Sequence, residues 1–306
     1  MNIRVLLRLA ALTGIMAPIS IWIGQLSYSW MPEPASAEAL LVDNLFSFLT
    51  TLGTFIFLGV AGTLLYSVLF QRADKYDEGD GPPIEGNLTL EIVWTAIPLV
   101  LVIWIAGYSY KIYDEMGILG PMEHMHRGEA IAAPLTAQTS TEPEPIEVHA
   151  RQWVWEFYYP EAGVASTELH LPNNTRAKLA LTSEDVLHGF FVPAFRVKQD
   201  VIPGRSIDFE FTPIREGVYR LRDSQYSGTY FAAMQANVVV ESPEAYQQWL
   251  RDTAALPPQP GLNPSYTEYK VKVENRENRP GWKTVTPAPA PLVNFPGSPE
   301  IPVPKP

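Results

Sequence analysis

Cysteine is missing from all 306 residues of this chain. Its absence excludes disulfides, thiolate metal sites, a cysteine nucleophile and a lipid anchor on an N-terminal cysteine. Basic residues are scarce beside acidic ones. The net charge of −11 argues against nucleic acid as a partner, since phosphate recognition needs clustered Lys and Arg. No Gly-rich loop joins a strand to a helix, so a phosphate-binding turn has no support. Neither a carboxylate-pair hydrolase nor a Ser-His-Asp enzyme can be read from the spacing of the polar residues.

What is present is unevenly spread. Hydrophobic residues make up 46% of the chain, but the first third holds the long apolar runs and the rest reads as a soluble domain. Three apolar segments, at residues 5–30, 45–70 and 92–112, each supply enough residues to cross a bilayer core as a helix, which takes about 20. The first is open to two readings. Arg4 and Arg8, an apolar stretch and then Ala35-Ser36-Ala37 also fit a signal peptide with its cleavage site, although the apolar run is long for a signal. Arg4 and Arg8 place the N-terminus in the cytoplasm, and Arg72 and Lys75 place the loop after the second segment there too. Everything after Tyr113 is then on the outer face, whichever reading of the first segment holds.

Residues 114–145 are polar, carry Gly and Pro and show no period, which reads as a linker. From residue 146 the pattern becomes one of short strands, at 178–181, 207–211, 217–221 and 237–240, alternating or rich in β-branched and aromatic residues. Strands of this spacing predict a sandwich or barrel. Ser242-Pro243-Glu244 is a helix start, with Ser as N-cap and Pro at the first helical position, and that helix is expected to end near Asp252. The tail, residues 254–306, is proline-rich and expected to be extended or disordered. The domains are therefore 1–37 (transmembrane helix or signal peptide), 38–113 (two-helix hairpin), 114–145 (linker), 146–253 (β domain) and 254–306 (tail).

Several blocks, in order, resemble subunit II of the haem-copper respiratory oxidases. Leu90-Glu91-Ile92-Val93-Trp94-Thr95-Ala96-Ile97-Pro98 resembles the start of that family's last transmembrane helix. Gln152-Trp153-Val154-Trp155-Glu156-Phe157-Tyr158-Tyr159-Pro160 resembles its aromatic segment. Asp185-Val186-Leu187-His188-Gly189-Phe190-Phe191-Val192-Pro193 and Lys198-Gln199-Asp200-Val201-Ile202-Pro203-Gly204-Arg205 resemble its cupredoxin domain. The resemblance implies a membrane-anchored all-β protein: two or three transmembrane helices, then a cupredoxin-like β-sandwich.

The chain departs from the family in the last loop, where subunit II carries Cys-x-x-x-Cys-x-x-x-His-x-x-Met for a binuclear copper centre. Here Asp223 and Ser227 stand at the two cysteine positions and Phe231 at the histidine, while His188 and Met234 remain. Two bridging thiolates are what such a centre needs, and a carboxylate and a hydroxyl do not replace them. Gln225 replaces the acidic residue through which family members reach an interfacial magnesium. The Tyr-Ser-Gly and Phe-x-x-Met pattern of this loop resembles the quinol oxidase branch, which lacks this copper, while the His188 block resembles the cytochrome c branch. This mixture, with Asp80-Gly81-Pro82-Pro83-Ile84-Glu85-Gly86-Asn87, resembles the copper-less alternative oxidases of cyanobacteria.

The resemblance implies a terminal oxidase that reduces oxygen to water and moves protons, with haems and active-site copper in subunit I and no cofactor in this chain. Subunit I, subunit III and membrane lipid are the implied partners, and quinol reaches the complex through the membrane. The alternatives are an oxidase fed by a soluble carrier, cytochrome c or plastocyanin, docking near Trp153, and a structural or copper-delivery protein. Glu91 reads either as a carboxylate at the positive end of a helix or, by the resemblance, as a proton entrance. Trp153 reads as core packing or as the family's electron entry point. His188 and Met234 are too few ligands for a tight metal site. The Met122, His124, Met125 and His126 cluster is either a copper-uptake motif or linker without function.

Overall fold

A computed structural model describes residues 3–72, 76, 79, 86–118, 145–257 and 263–274. Lys75, Asp80 to Glu85 and the Met122 to His126 cluster lie outside these residues, as do 119–144, 258–262 and 275–306. The described residues form two units. One is built on residues 3–31 and 41–115, the other on 32–40 and the residues from 116 onward.

The first unit is helical. α1 spans Ile3–Leu26, α2 Ala37–Phe70 and α3 Leu88–Met116. All three contain a stretch long and apolar enough to span a membrane. α2 and α3 are longer than the apolar runs alone suggest, beginning at Ala37 and Leu88. Large side chains such as Leu64, Val68, Phe70, Val100 and Ile103 point outward, a surface that requires lipid or another protein around it. α1 meets α2 at a close crossing. A Cβ on Gly24 would lie 1.8 Å from Thr51 Oγ1, and Ser47 Oγ donates to Gly24 O at 2.7 Å. Small residues let the two backbones approach in this way. Phe48 of α2 packs edge-on against Trp104 and Tyr108 of α3, at 5.2 Å each.

The second unit is a sandwich of two five-stranded sheets. One has the order β3-β2-β1-β5-β8 and the other β4-β10-β9-β6-β7. The strands are β1 Ile146–Arg151, β2 Val154–Tyr159, β3 Val164–Ser166, β4 Leu169–Pro172, β5 Ala177–Ser183, β6 His188–Val192, β7 Val197–Val201, β8 Ile207–Phe211, β9 Gly217–Asp223 and β10 Gln235–Glu241. Period-two patterning drives the burial. Along β5, Ala177, Leu179, Leu181 and Ser183 face inward, while Lys178, Ala180 and Thr182 alternate outward. Trp155, Phe190, Phe195, Phe209 and Phe211 fill the space between the sheets. The fold is the expected membrane-anchored all-β architecture with a cupredoxin-like sandwich.

α4, Pro243–Ala254, starts at the predicted cap: Ser242 Oγ accepts from Ala245 N at 3.2 Å, a contact worth about 1 kcal/mol. Trp249 of α4 stacks on His170 at 3.8 Å, seating the helix on the sandwich. The tail departs from the expected extended chain. Residues Pro264–Glu274 form a further helix, α5, with Asn263 Oδ1 accepting from Tyr266 N at 3.1 Å and Pro264 at the first helical position. The prolines are concentrated on either side of this stretch, leaving it free to coil.

Residues 32–40 belong to the sandwich. Ala35 N donates to Ala194 O at 3.0 Å, Ile214 N to Ala35 O at 2.9 Å and Ala37 N to Thr212 O at 2.9 Å. Ser36 Oγ donates to Phe195 O at 2.9 Å. Glu38, buried, accepts from Arg176 Nη1 at 2.5 Å and from Thr212 N at 3.1 Å. This segment is a strap laid along the edge of the domain.

Candidate functional site

Three loops meet at one end of the sandwich. β1 and β2 pair in register up to Arg151 and Val154, which leaves Gln152 and Trp153 as the hairpin tip. β6 begins at His188, β9 ends at Asp223, and residues 224–234 return the chain to β10. Pairing of Phe190 with Asp223 between β6 and β9 brings His188 beside the last residue of β9.

There the side chains form a closed cluster. His188 Nδ1 lies 2.8 Å from Asp223 Oδ2, and His188 Nε2 lies 2.9 Å from Asp185 Oδ1. Each ring nitrogen faces a carboxylate oxygen, an arrangement that favours a proton on both nitrogens and so the charged ring. Burial works against that charge, but the hydrogen bonds to Asp223 and Asp185 and their negative charges outweigh it and hold the His188 pKa above the ordinary histidine value. Asp185 is held below the ordinary carboxylate value: burial opposes this, but His188 and the backbone N–H groups of Gln152 and Val186 prevail. Asp223 is saturated. Its Oδ1 accepts from Gly189 N at 2.8 Å and Gln225 N at 3.0 Å, and its Oδ2 accepts from Ser227 Oγ at 2.7 Å as well as from His188. Ser227 donates to the carboxylate and not to the imidazole, so it is not an activated nucleophile.

The other positions singled out in the sequence have separate places. Met234 is buried, and its carbonyl accepts from Asp223 N at 3.0 Å. Gln225 turns its amide away to Asp200 Oδ1 at 2.8 Å. Phe231 packs against Tyr226 at 5.2 Å. Trp153 is buried in the loop end, with Nε1 donating to Ser227 O at 3.0 Å. Glu91 belongs to the helical unit, in the first turn of α3, where its side chain is exposed. The resemblance implies no role for Asp185. Its signal in the sequence is its spacing, three residues before His188.

This fold defines a membrane-anchored protein with a cupredoxin-like domain on the periplasmic or lumenal side. The chain matches the transmembrane domain of cytochrome c oxidase subunit II over residues 21–112 and its periplasmic domain over residues 163–242. It belongs to the cytochrome c oxidase subunit II family and is a subunit of a haem-copper oxidase complex. A cytochrome c oxidase subunit 2 of Synechocystis sp. is 36% identical over 270 residues, covering 79% of this chain and 81% of that one. One from Thermostichus vulcanus is 36% identical over 275 residues, covering 79% and 84%. A quinol oxidase subunit 2 of Bacillus cereus is 25% identical over 207 residues, covering 66% of each.

The residues here do not fit the binuclear copper centre associated with the family. Both nitrogens of His188 are engaged by carboxylates, all four contacts to Asp223 are made within the protein, and neither Asp223 nor Ser227 supplies a soft bridging donor. Among the described residues, no group of three or more His, Cys, Asp or Glu is arranged to hold a metal ion.

Proposed function

We propose that this chain is the copper-less subunit II of a quinol-fed terminal oxidase. The observation that carries this reading is the Asp223–His188 pair. Asp223 and Ser227 stand at the two thiolate positions, and His188 is held between Asp223 and Asp185 where a metal would accept electrons from a soluble donor. Without a redox centre beneath it, the loop end offers such a donor no acceptor within this chain. Quinol then reduces subunit I from the membrane, and subunit I holds the haems and active-site copper. This chain contributes its helices, packed on subunit I within the lipid, and a β domain on the outer face, with subunit III completing the assembly.

Glu91 is then a proton entrance. A carboxylate in the first turn of a membrane helix is costly unless it is hydrated or paired, which favours a role in proton uptake over simple dipole placement. The kinship with subunits named for cytochrome c supports a second reading, in which a soluble carrier docks near Trp153, and the net charge of −11 suits a basic carrier. A structural or copper-delivery role outside any oxidase is a third. Purification from the native membrane separates it from the other two, because haem-containing partners accompany only an oxidase subunit.

Oxygen uptake by the purified complex tests the donor. Quinol should drive turnover, and reduced cytochrome c or plastocyanin should not. Fast, salt-sensitive uptake with a soluble carrier and none with quinol would overturn the proposal, since docking of charged carriers is steered electrostatically.

A further inference from the structure

Trp153 sits at the tip of a two-residue hairpin, a place where side chains ordinarily meet water, yet it is only 4% exposed. Its cover is specific. Tyr230, from the β9–β10 loop, lies edge-on to the indole at 5.2 Å, and Tyr269 of α5 lies edge-on at 5.2 Å from its own direction. The start of α5 is tied down by Asn263, whose Nδ2 donates to Gln152 O at 3.1 Å. Ser265, in the first turn of α5, is 4% exposed, so the helix is seated on the domain. The loop end is not covered as a whole: Tyr226, in the same loop as Tyr230, is 76% exposed.

Beneath the indole the packing is equally close. Trp153 Nε1 and Gln152 Nε2 both donate to Ser227 O, at 3.0 and 2.7 Å, and Ser227 Oγ donates to Asp223. A Cβ on Gly228 would come within 3.1 Å of Trp153 Cζ2. Trp153 is thus the layer between α5 above and the His188–Asp223 pair below.

We propose that α5 is a built-in cap: the chain's own C-terminal helix occupies the surface over Trp153, closes it to an external protein partner and shields the ion pair beneath from water. The cap is argued from the contacts of α5 with Trp153 and not from the quinol reading, and it opposes a carrier docking directly on Trp153.

Hydroxyl-radical footprinting of the purified oxidase complex, read by mass spectrometry and scaled to each side chain's intrinsic reactivity, tests it. In the native complex Trp153 should react far more slowly than Tyr226. Ending the chain after Leu256, or combining Asn263→Ala with Tyr269→Ala, should raise the Trp153 rate severalfold, while Trp155 in the core stays protected. Native Trp153 reacting as fast as Tyr226, or no change in either variant, would overturn the cap. Trp155 rising together with Trp153 in both variants would also overturn it, since α5 would then be part of the folding core and not a cover.

Discussion

His188 and Asp223 lie 2.8 Å apart, Nδ1 to Oδ2, with both side chains fully buried. The pair joins the first residue of β6 to the last residue of β9 and closes the sandwich at its loop end. Removing Asp223 leaves His188 held by Asp185 alone and takes the acceptor from Gly189 N, Gln225 N and Ser227 Oγ. Breaking a buried pair in this way typically costs about 3–5 kcal/mol. Asp223→Ala should therefore lower the hydrogen-exchange protection of β6 and β9 amides by about a hundredfold or more, at 1.4 kcal/mol per factor of ten. Unchanged protection would mean that the pair is incidental to the domain.

The same cluster sets a pH dependence. His188 has a raised pKa, so its contribution is fully present below the unfolded value of about 6.5 and is lost as pH climbs through the higher folded value. Asp185 has a lowered pKa, so its contribution is present above about 3.9 and is lost as pH falls through the lower folded value. Thermal unfolding of the β domain within the complex should show a plateau between these limits and a decline on the alkaline side. In Asp223→Asn that alkaline decline should weaken, because the amide no longer favours the imidazolium. An identical pH profile in the variant would assign the decline to other groups.

The strap at residues 32–40 bears on the first apolar segment. Cleavage after Ala37 would remove the carbonyl of Ala35 that accepts from Ile214 N and the hydroxyl of Ser36 that donates to Phe195 O. It would also separate α1 from its close crossing with α2 at Gly24. Intact-mass analysis of the purified subunit should find α1 retained. A mature chain beginning at Glu38 would contradict this.

Much of the β domain was legible in the sequence, because the signals are local. The alternation of Ile207 to Phe211 places β8, and Ser242-Pro243 marks the start of α4 within one residue. That the last loop offers Asp223 and Ser227 and no thiolate was equally legible. What these residues bond to was not. Asp185 lies three residues before His188, but it engages the ring only once the β5–β6 loop folds back, and the spacing alone does not show that. The strap was hidden for a similar reason: Ser36 and Phe195 pair across 159 residues, and Ala35-Ser36-Ala37 read alone looks like a cleavage site. α5 was missed because the prolines around it dominate the composition of the tail.

Glu91→Gln keeps the side-chain volume and removes the charge, so assembly should survive. If Glu91 admits protons, turnover of the complex should slow, most at alkaline pH where proton supply is limiting. Turnover that matches the native complex across pH would leave Glu91 with only its favourable place at the start of α3.

Trp153→Phe separates the two donor readings. The change removes the Nε1–H bond to Ser227 O and leaves a modest void, a loss of about 1–3 kcal/mol in local stability. Quinol oxidation should be nearly unaffected. A large drop in carrier-driven oxygen uptake would instead place a soluble donor at this surface.

Electron paramagnetic resonance of the oxidised complex, purified from copper-replete cells, tests the central claim most directly. With His188, Asp185, Asp223 and Ser227 bonded to one another, the spectrum should lack the mixed-valence signal of a binuclear copper centre while the haem signals of the complex are present. A mixed-valence copper signal at one per complex would contradict the account.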